Sequence, residues 1–150
     1  MTPHPSLTPD CLRQLSWLKR SPPESMLHHI SFSVVDLERS ARFYDAALGS
    51  LGYVRVWANL SAVGYGLPGG GDMFAIKLRA THQAPGTGFH LAFAAHSREA
   101  VSSFHEAALQ AGGQDNGAPG LRPDYGPNYF AAFVIDPDGY HLEAVINAPV

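Results

Sequence analysis

From Leu27 to Val35, the apolar residues Ile30, Phe32 and Val34 alternate with His29, Ser31 and Ser33, a period of two that predicts a β-strand. The period then changes. Leu37, Ala41, Tyr44, Ala47, Leu48 and Leu51 recur at helical spacing, predicting a helix over 37–51. Asp36 is its expected N-cap and Gly52 its expected C′ residue. Strands follow at about 53–58, 61–67 and 73–78, with Pro68-Gly69-Gly70-Gly71-Asp72 turning between the last two. The order β-α-β-β-β then recurs. It comprises a strand at 88–95, a Ser97-capped helix at 98–111 closed by Gly112-Gly113, and strands at 129–135 and 140–146 flanking Asp136-Pro-Asp-Gly139. A short strand is expected within 114–122, inside a Gly-, Pro- and Asn-rich loop, and 80–87 reads as a linker.

The recurrence is a repeat with an offset of 61 positions. His29 falls on His90, Phe32 on Phe93, Glu38 on Glu99, Phe43 on Phe104, Ala46-Ala47-Leu48 on Ala107-Ala108-Leu109, and Gly52 on Gly113. A duplicated module related by a pseudo-twofold sets equivalent residues opposite one another, so the two histidines are expected to meet. Strand alternation turns His29 away from the face a helix covers, and the same count holds for His90. On the last strand Leu142 and Ala144 take the helix face, while Glu143 and His141 take the other. Two imidazoles and a carboxylate on a sheet floor suit a divalent metal, with coordination positions left for water or substrate.

Composition narrows the class. At 150 residues and 45% apolar content the chain suits one α+β domain over 26–147, with modules at about 26–80 and 88–147. A net charge of −3 disfavours nucleic acid or an anionic membrane as partner, and no apolar run approaches the ~20 residues of a membrane span. The single Cys11 cannot form an internal disulfide, which fits the reducing cytoplasm. Residues 1–25, punctuated by prolines, read as a tail; 8–20 offers a short helix, with Thr8 as cap and Leu12, Leu15 and Leu18 as its apolar edge.

His29-x6-Asp36-Leu37-x5-Phe43-Tyr44 and Asp136-Pro-Asp-Gly-Tyr-His-Leu-Glu143 resemble the vicinal oxygen chelate superfamily, the glyoxalase, bleomycin-resistance and extradiol-dioxygenase group. The resemblance covers residues 26–147. It implies two tandem βαβββ modules forming a cupped mixed sheet, metal ligands at His29, His90 and Glu143, and a divalent ion such as Zn, Mn, Ni, Fe or Mg. It also implies a small oxygen-chelating substrate and a homodimer that completes the cavities. Exposed sheet edges, which need a partner or a cover, favour the dimer as well.

Aligning residues 75–78 with 141–144 makes Lys77 the symmetry mate of Glu143, and a protonated lysine has no lone pair for a metal. That disfavours the four-ligand glyoxalase I reaction and leaves lyase, isomerase, thiol-transferase or dioxygenase chemistry open. Lys77 becomes a candidate for binding a substrate anion. Arg122, Tyr125, Asn128 and Tyr129, in and beside a loop, are further substrate-contact candidates, and His141 shares the face of Glu143. His28 is an alternative ligand to His29. His82, His96 and His105 read as loop or surface residues, Trp57 as packing, and Tyr65 and Phe74 as core residues able to line the cavity. The rival reading is a metal-free small-molecule-binding protein of the bleomycin-resistance type.

Overall fold

The computed structural model describes residues 25–150; the expected tail and its helix over 8–20 lie outside the described residues. The chain runs β1 (Ile30–Val34), α1 (Leu37–Gly49), β2 (Val54–Ala58), β3 (Ala62–Gly66), β4 (Phe74–Leu78), β5 (Leu91–Ala94), α2 (Arg98–Gln110), β6 (Gln114–Leu121), β7 (Tyr129–Ile135) and β8 (His141–Asn147). These are the two βαβββ modules the sequence predicts. Asp36 caps α1 by accepting from Arg39 N at 3.0 Å, and Ser97 caps α2 by accepting from Ala100 N at 3.0 Å. The weakly expected strand is the eight-residue β6, which pairs with β7 despite Gly117, Pro119 and Gly120 by shifting register twice. No described helix is long and apolar enough to cross a membrane.

Each module forms its own four-stranded sheet, ordered β1-β4-β3-β2 and β5-β8-β7-β6. In both, the first strand runs parallel to the last, and the remaining pairs are antiparallel. No strand pairing joins the two sheets. They meet instead through their helix-covered faces, which share one core. Phe32, Val34, Phe74 and Ile76 from the first sheet join Ala132, Val134, Leu142 and Ala144 from the second, around Phe43, Leu48, Phe104 and Ala108 of the helices. Across the boundary Phe32 stacks on Tyr140 with centroids 3.9 Å apart, and Phe74 meets Phe93 edge-on at 5.6 Å. Period-two alternation then directs the opposite faces, with Ser31, Ser33, Ala75 and Lys77 on one and Ala92 and Glu143 on the other, out of this core.

The Asp136–Gly139 turn fastens the modules together. Asp136 Oδ1 accepts from its own turn, at Asp138 N (2.9 Å) and Tyr140 N (2.8 Å), while its other oxygen accepts from the buried Tyr44 hydroxyl on α1. Asp138 reaches the start of α1, accepting from Ser40 Oγ at 2.6 Å and pairing with Arg39 at 2.8 Å. Burial, reinforced by Asp136, holds the Tyr44 phenol well above its ordinary pKa. The unfolded chain therefore releases that proton first. The stability contributed by Tyr44 is fully present below pH about 10 and is lost as pH rises from there toward the folded-state value. Urea midpoints should fall between about pH 9 and pH 11, and Tyr44→Phe should flatten that fall.

Candidate metal and substrate site

Parallel pairing of β5 with β8 sets Ala92 beside Glu143, so the residue just before β5, His90, lies beside His141 at the open end of the sheet. His90 Nε2 is 3.4 Å from Glu143 Oε2. Glu143 is a buried carboxylate, 2% exposed, whose other oxygen accepts a 2.6 Å hydrogen bond from the Tyr129 hydroxyl. Burial and the adjacent carboxylate push the Tyr129 phenol up to about 12, so it remains a donor at neutral pH. These groups open into a cavity of about 650 Å³ that also exposes His141, Tyr125, Asp124 and Asn116. Tyr125 stands edge-on to Tyr129 with centroids 5.3 Å apart.

His29 is elsewhere. It lies with His28, the two Nδ1 atoms 2.9 Å apart, at the rim of a separate apolar cavity of about 190 Å³ formed by Ile30, Tyr53, Phe74, Leu91 and Phe93. Tyr65 also lines that cavity, and both Tyr65 and Phe74 are otherwise core residues. Among the described residues no three His, Cys, Asp or Glu side chains converge within one chain. Within one chain, His29 and His90 line different cavities. Because the modules pack through their helix sides, the two histidine-bearing faces diverge.

The symmetry mate of Glu143 is corrected. β1 pairs Ser31 with Ala75, and β5 pairs Ala92 with Glu143. Ser31 and Ala92 are equivalent in the repeat, so Ala75, not Lys77, occupies the fourth corner. Lys77 sits one pleat further along, between Ser33 and Ala62. An alanine methyl offers a metal no more than a lysine ammonium would.

The loop candidates divide. Tyr125, Tyr129 and His141 line the large cavity. Arg122 stands behind its wall, its guanidinium 5.4 Å over the Phe133 ring and bonded to Ala118 O at 2.7 Å. Asn128 does not line the cavity and makes no side-chain hydrogen bond among the described residues; the expectation that it contacts substrate finds no support. Sequence reasoning missed Asn116 and Asp124, because the path of β6 was not readable. It also left His82 without a partner, whereas the imidazole bridges Ser33 Oγ and Asp138 O, each at 2.8 Å. His105, expected at the surface, is mostly covered and pairs with Asp115 at 2.9 Å.

A Tyr129→Phe change tests the support of Glu143. If Glu143 is a metal ligand, affinity for added Zn²⁺ should fall about tenfold with thermal stability nearly unchanged, read by calorimetric titration.

The sequence profile of the Glyoxalase/Bleomycin resistance protein/Dioxygenase superfamily matches residues 26–144. No curated protein matches the chain in sequence. Among solved structures it is similar to a glyoxalase/bleomycin resistance protein from Albidiferax ferrireducens T118, at 37% identity and a TM-score of 0.70, covering 81% of this chain and 98% of that one. It is also similar to a glyoxalase-related enzyme from Fulvimarina pelagi, at 27% identity and a TM-score of 0.64, covering 83% and 89%. The fosfomycin resistance protein FosX from Listeria monocytogenes shares the fold at 20% identity and a TM-score of 0.60, covering 81% and 92%. With its two βαβββ modules and a profile match over most of its length, this chain belongs to the glyoxalase/bleomycin resistance protein/dioxygenase superfamily.

Proposed function

We propose that the chain is a cytoplasmic, homodimeric, metal-dependent enzyme acting on a small oxygen-chelating substrate, with each site shared between two protomers. The observation that carries this reading is the approach of His90 Nε2 to Glu143 Oε2 in an open cavity. A buried carboxylate calls for a counter-charge, and an imidazole nitrogen beside a carboxylate oxygen is a donor pair for a divalent ion. His90 and Glu143 of one protomer would hold the ion together with the partner subunit's His29. Bound there, a divalent ion supplies Lewis acidity to neighbouring substrate oxygens.

The protein's own groups set the stage for that chemistry. Tyr129 fixes one oxygen of Glu143 and leaves the other for coordination. His141 and Tyr125 border the cavity where substrate would lie. The absence of a fourth donor at Ala75 favours three-ligand chemistry over the glyoxalase I reaction.

The divergence of the faces supports sharing. One chain carries both halves of a site but turns them apart, and a second copy related by a twofold axis would set the first module of each against the second module of the other. The strand edges leave room for it. On β1 the Tyr140 hydroxyl caps Ser33, at 3.1 Å from its N and 3.0 Å from its carbonyl oxygen, and on β5 Tyr53 reaches Ala94 O at 3.4 Å. Ser31 and Ala92, whose backbone groups turn outward by the same alternation, have no such cap among the described residues.

Metal analysis of protein purified without chelator tests the reading. Stoichiometric divalent metal, lost in His90→Ala with the fold retained, is the expected result. Metal-free protein whose affinity for added Zn²⁺, Mn²⁺, Ni²⁺ or Fe²⁺ is unchanged in His90→Ala would favour the metal-free sequestering alternative.

A further inference from the structure

The outward face of the first sheet is nearly bare of side chains along its centre. β3 alternates Val63 and Tyr65 toward the core with Ala62, Gly64 and Gly66 on the other face, and Ala75 of β4 continues this strip of small, buried residues. On this floor lies Trp57 of β2. It pairs with Gly64, and a Cβ on Gly64 would overlap its indole ring. The sequence reads Trp57 as packing, yet 37% of it remains exposed. Gly66 is occupied in another way: the Gly-rich turn folds back so that the Gly71 carbonyl fills the place of a side chain.

The cation on this face is Lys77. It is half-buried, opposite Ala62 and Ser33, and among the described residues it forms no ion pair and no side-chain hydrogen bond. Arg39, Arg42 and Arg55, by contrast, are each paired with a carboxylate. A lysine with a partly covered stem and no ion pair offers an incoming anion an uncompensated positive charge. The strand spacing places Lys77 two strands across and one pleat along from Trp57, roughly 12 Å between Cα atoms. His29 lies roughly 13 Å further back along the strand direction.

We propose that this face is a specificity surface for flat, conjugated anions, with the substrate's ring laid against Trp57 and its acid group held by Lys77. The inference rests on the shared-site reading in one respect: the partner subunit's His90 and Glu143 close over this face, so a ligand chelated at the metal end extends along it toward Lys77. Ala62, Gly64 and Ala75 are themselves buried, so the planar surface that a ligand meets is the exposed part of the Trp57 indole.

Calorimetric titration of the full-length protein with 2-naphthoate, 2-naphthamide and cyclohexanecarboxylate tests it. Wild-type protein should prefer the naphthoate over its neutral amide by about tenfold, and over the non-planar acid by about fivefold. Lys77→Gln should erase the first preference and keep the second. Trp57→Leu should erase the second and keep the first, with Trp57→Phe restoring it and guarding against a folding defect. Failure of the wild-type protein to bind naphthoate, or equal affinities in wild type and Lys77→Gln, would overturn the proposal. His90→Ala separates the two readings, because it should abolish metal binding while leaving the naphthoate preferences in place.

Discussion

If metal sites are shared between protomers as proposed, mixing His29→Ala and Glu143→Ala protomers is expected to recreate sites that neither variant has alone. In a homodimer of either variant every site lacks one ligand, and affinity should fall by at least about a hundredfold, since loss of an inner ligand costs more than loss of its support. In a mixed dimer with shared sites, both lesions fall in one site and the other is intact. Exchange of subunits under mild denaturant, followed by Zn²⁺ titration, should recover one tight site per mixed dimer. If sites were instead completed within one chain, every site in the mixture would remain damaged and nothing would be recovered. That outcome would require the outward faces to swing together within a protomer, breaking the Phe32–Tyr140 stack and the Phe74–Phe93 contact.

The second large effect concerns stability. The Asp138 side chain is fully buried and gathers the Ser40 hydroxyl, the Arg39 guanidinium and, at 3.4 Å, the Val35 amide. Asp138→Ala leaves those donors facing an empty space. Removing the buried member of such a group costs several kcal/mol when the partner stays dry, but Arg39 is 39% exposed and can turn to water. A loss of about 2–3 kcal/mol is expected. For a domain of this size, that lowers the melting temperature by roughly 5–10 °C, measurable by calorimetry. Asp138→Asn, which retains an acceptor for Ser40, should lose about half as much. A variant melting within a degree or two of wild type would show that the turn is not a fastening between modules.

Most of the architecture was legible because each module combines a period-two strand, a capped period-3.6 helix and glycine stops, and because the repeat doubles every signal. The pair His90 and Glu143 was legible for the same reason: strand alternation alone selects them, and the register of β5 on β8 brings them together. What the sequence hid is informative. Lys77 stood in for Ala75 because a slip of one residue flips every side chain to the other face and is caught at once, whereas a slip of two preserves every face and leaves no trace in the pattern. Only the pairing of Ser31 with Ala75 resolves it. The place of Asn116 and Asp124 beside the cavity was hidden because β6 bends through two irregularities where glycine and proline suggest a loop. The separation of His29 from His90 was invisible, because a repeat specifies two modules and not which of their faces meet.

The reach of Asp138 back to α1 bears on how the chain is made. The first module has its own strands and helix well before the rest has been synthesised, but the last group that ties down the start of its helix arrives only when residue 138 leaves the ribosome. Vectorial synthesis therefore produces a first module that is formed in outline and unlatched, with Phe32 and Phe74 still lacking the Tyr140 and Phe93 rings that later cover them. A nascent chain stalled before residue 136 should be far more open to protease along α1 than one stalled after residue 145 has emerged.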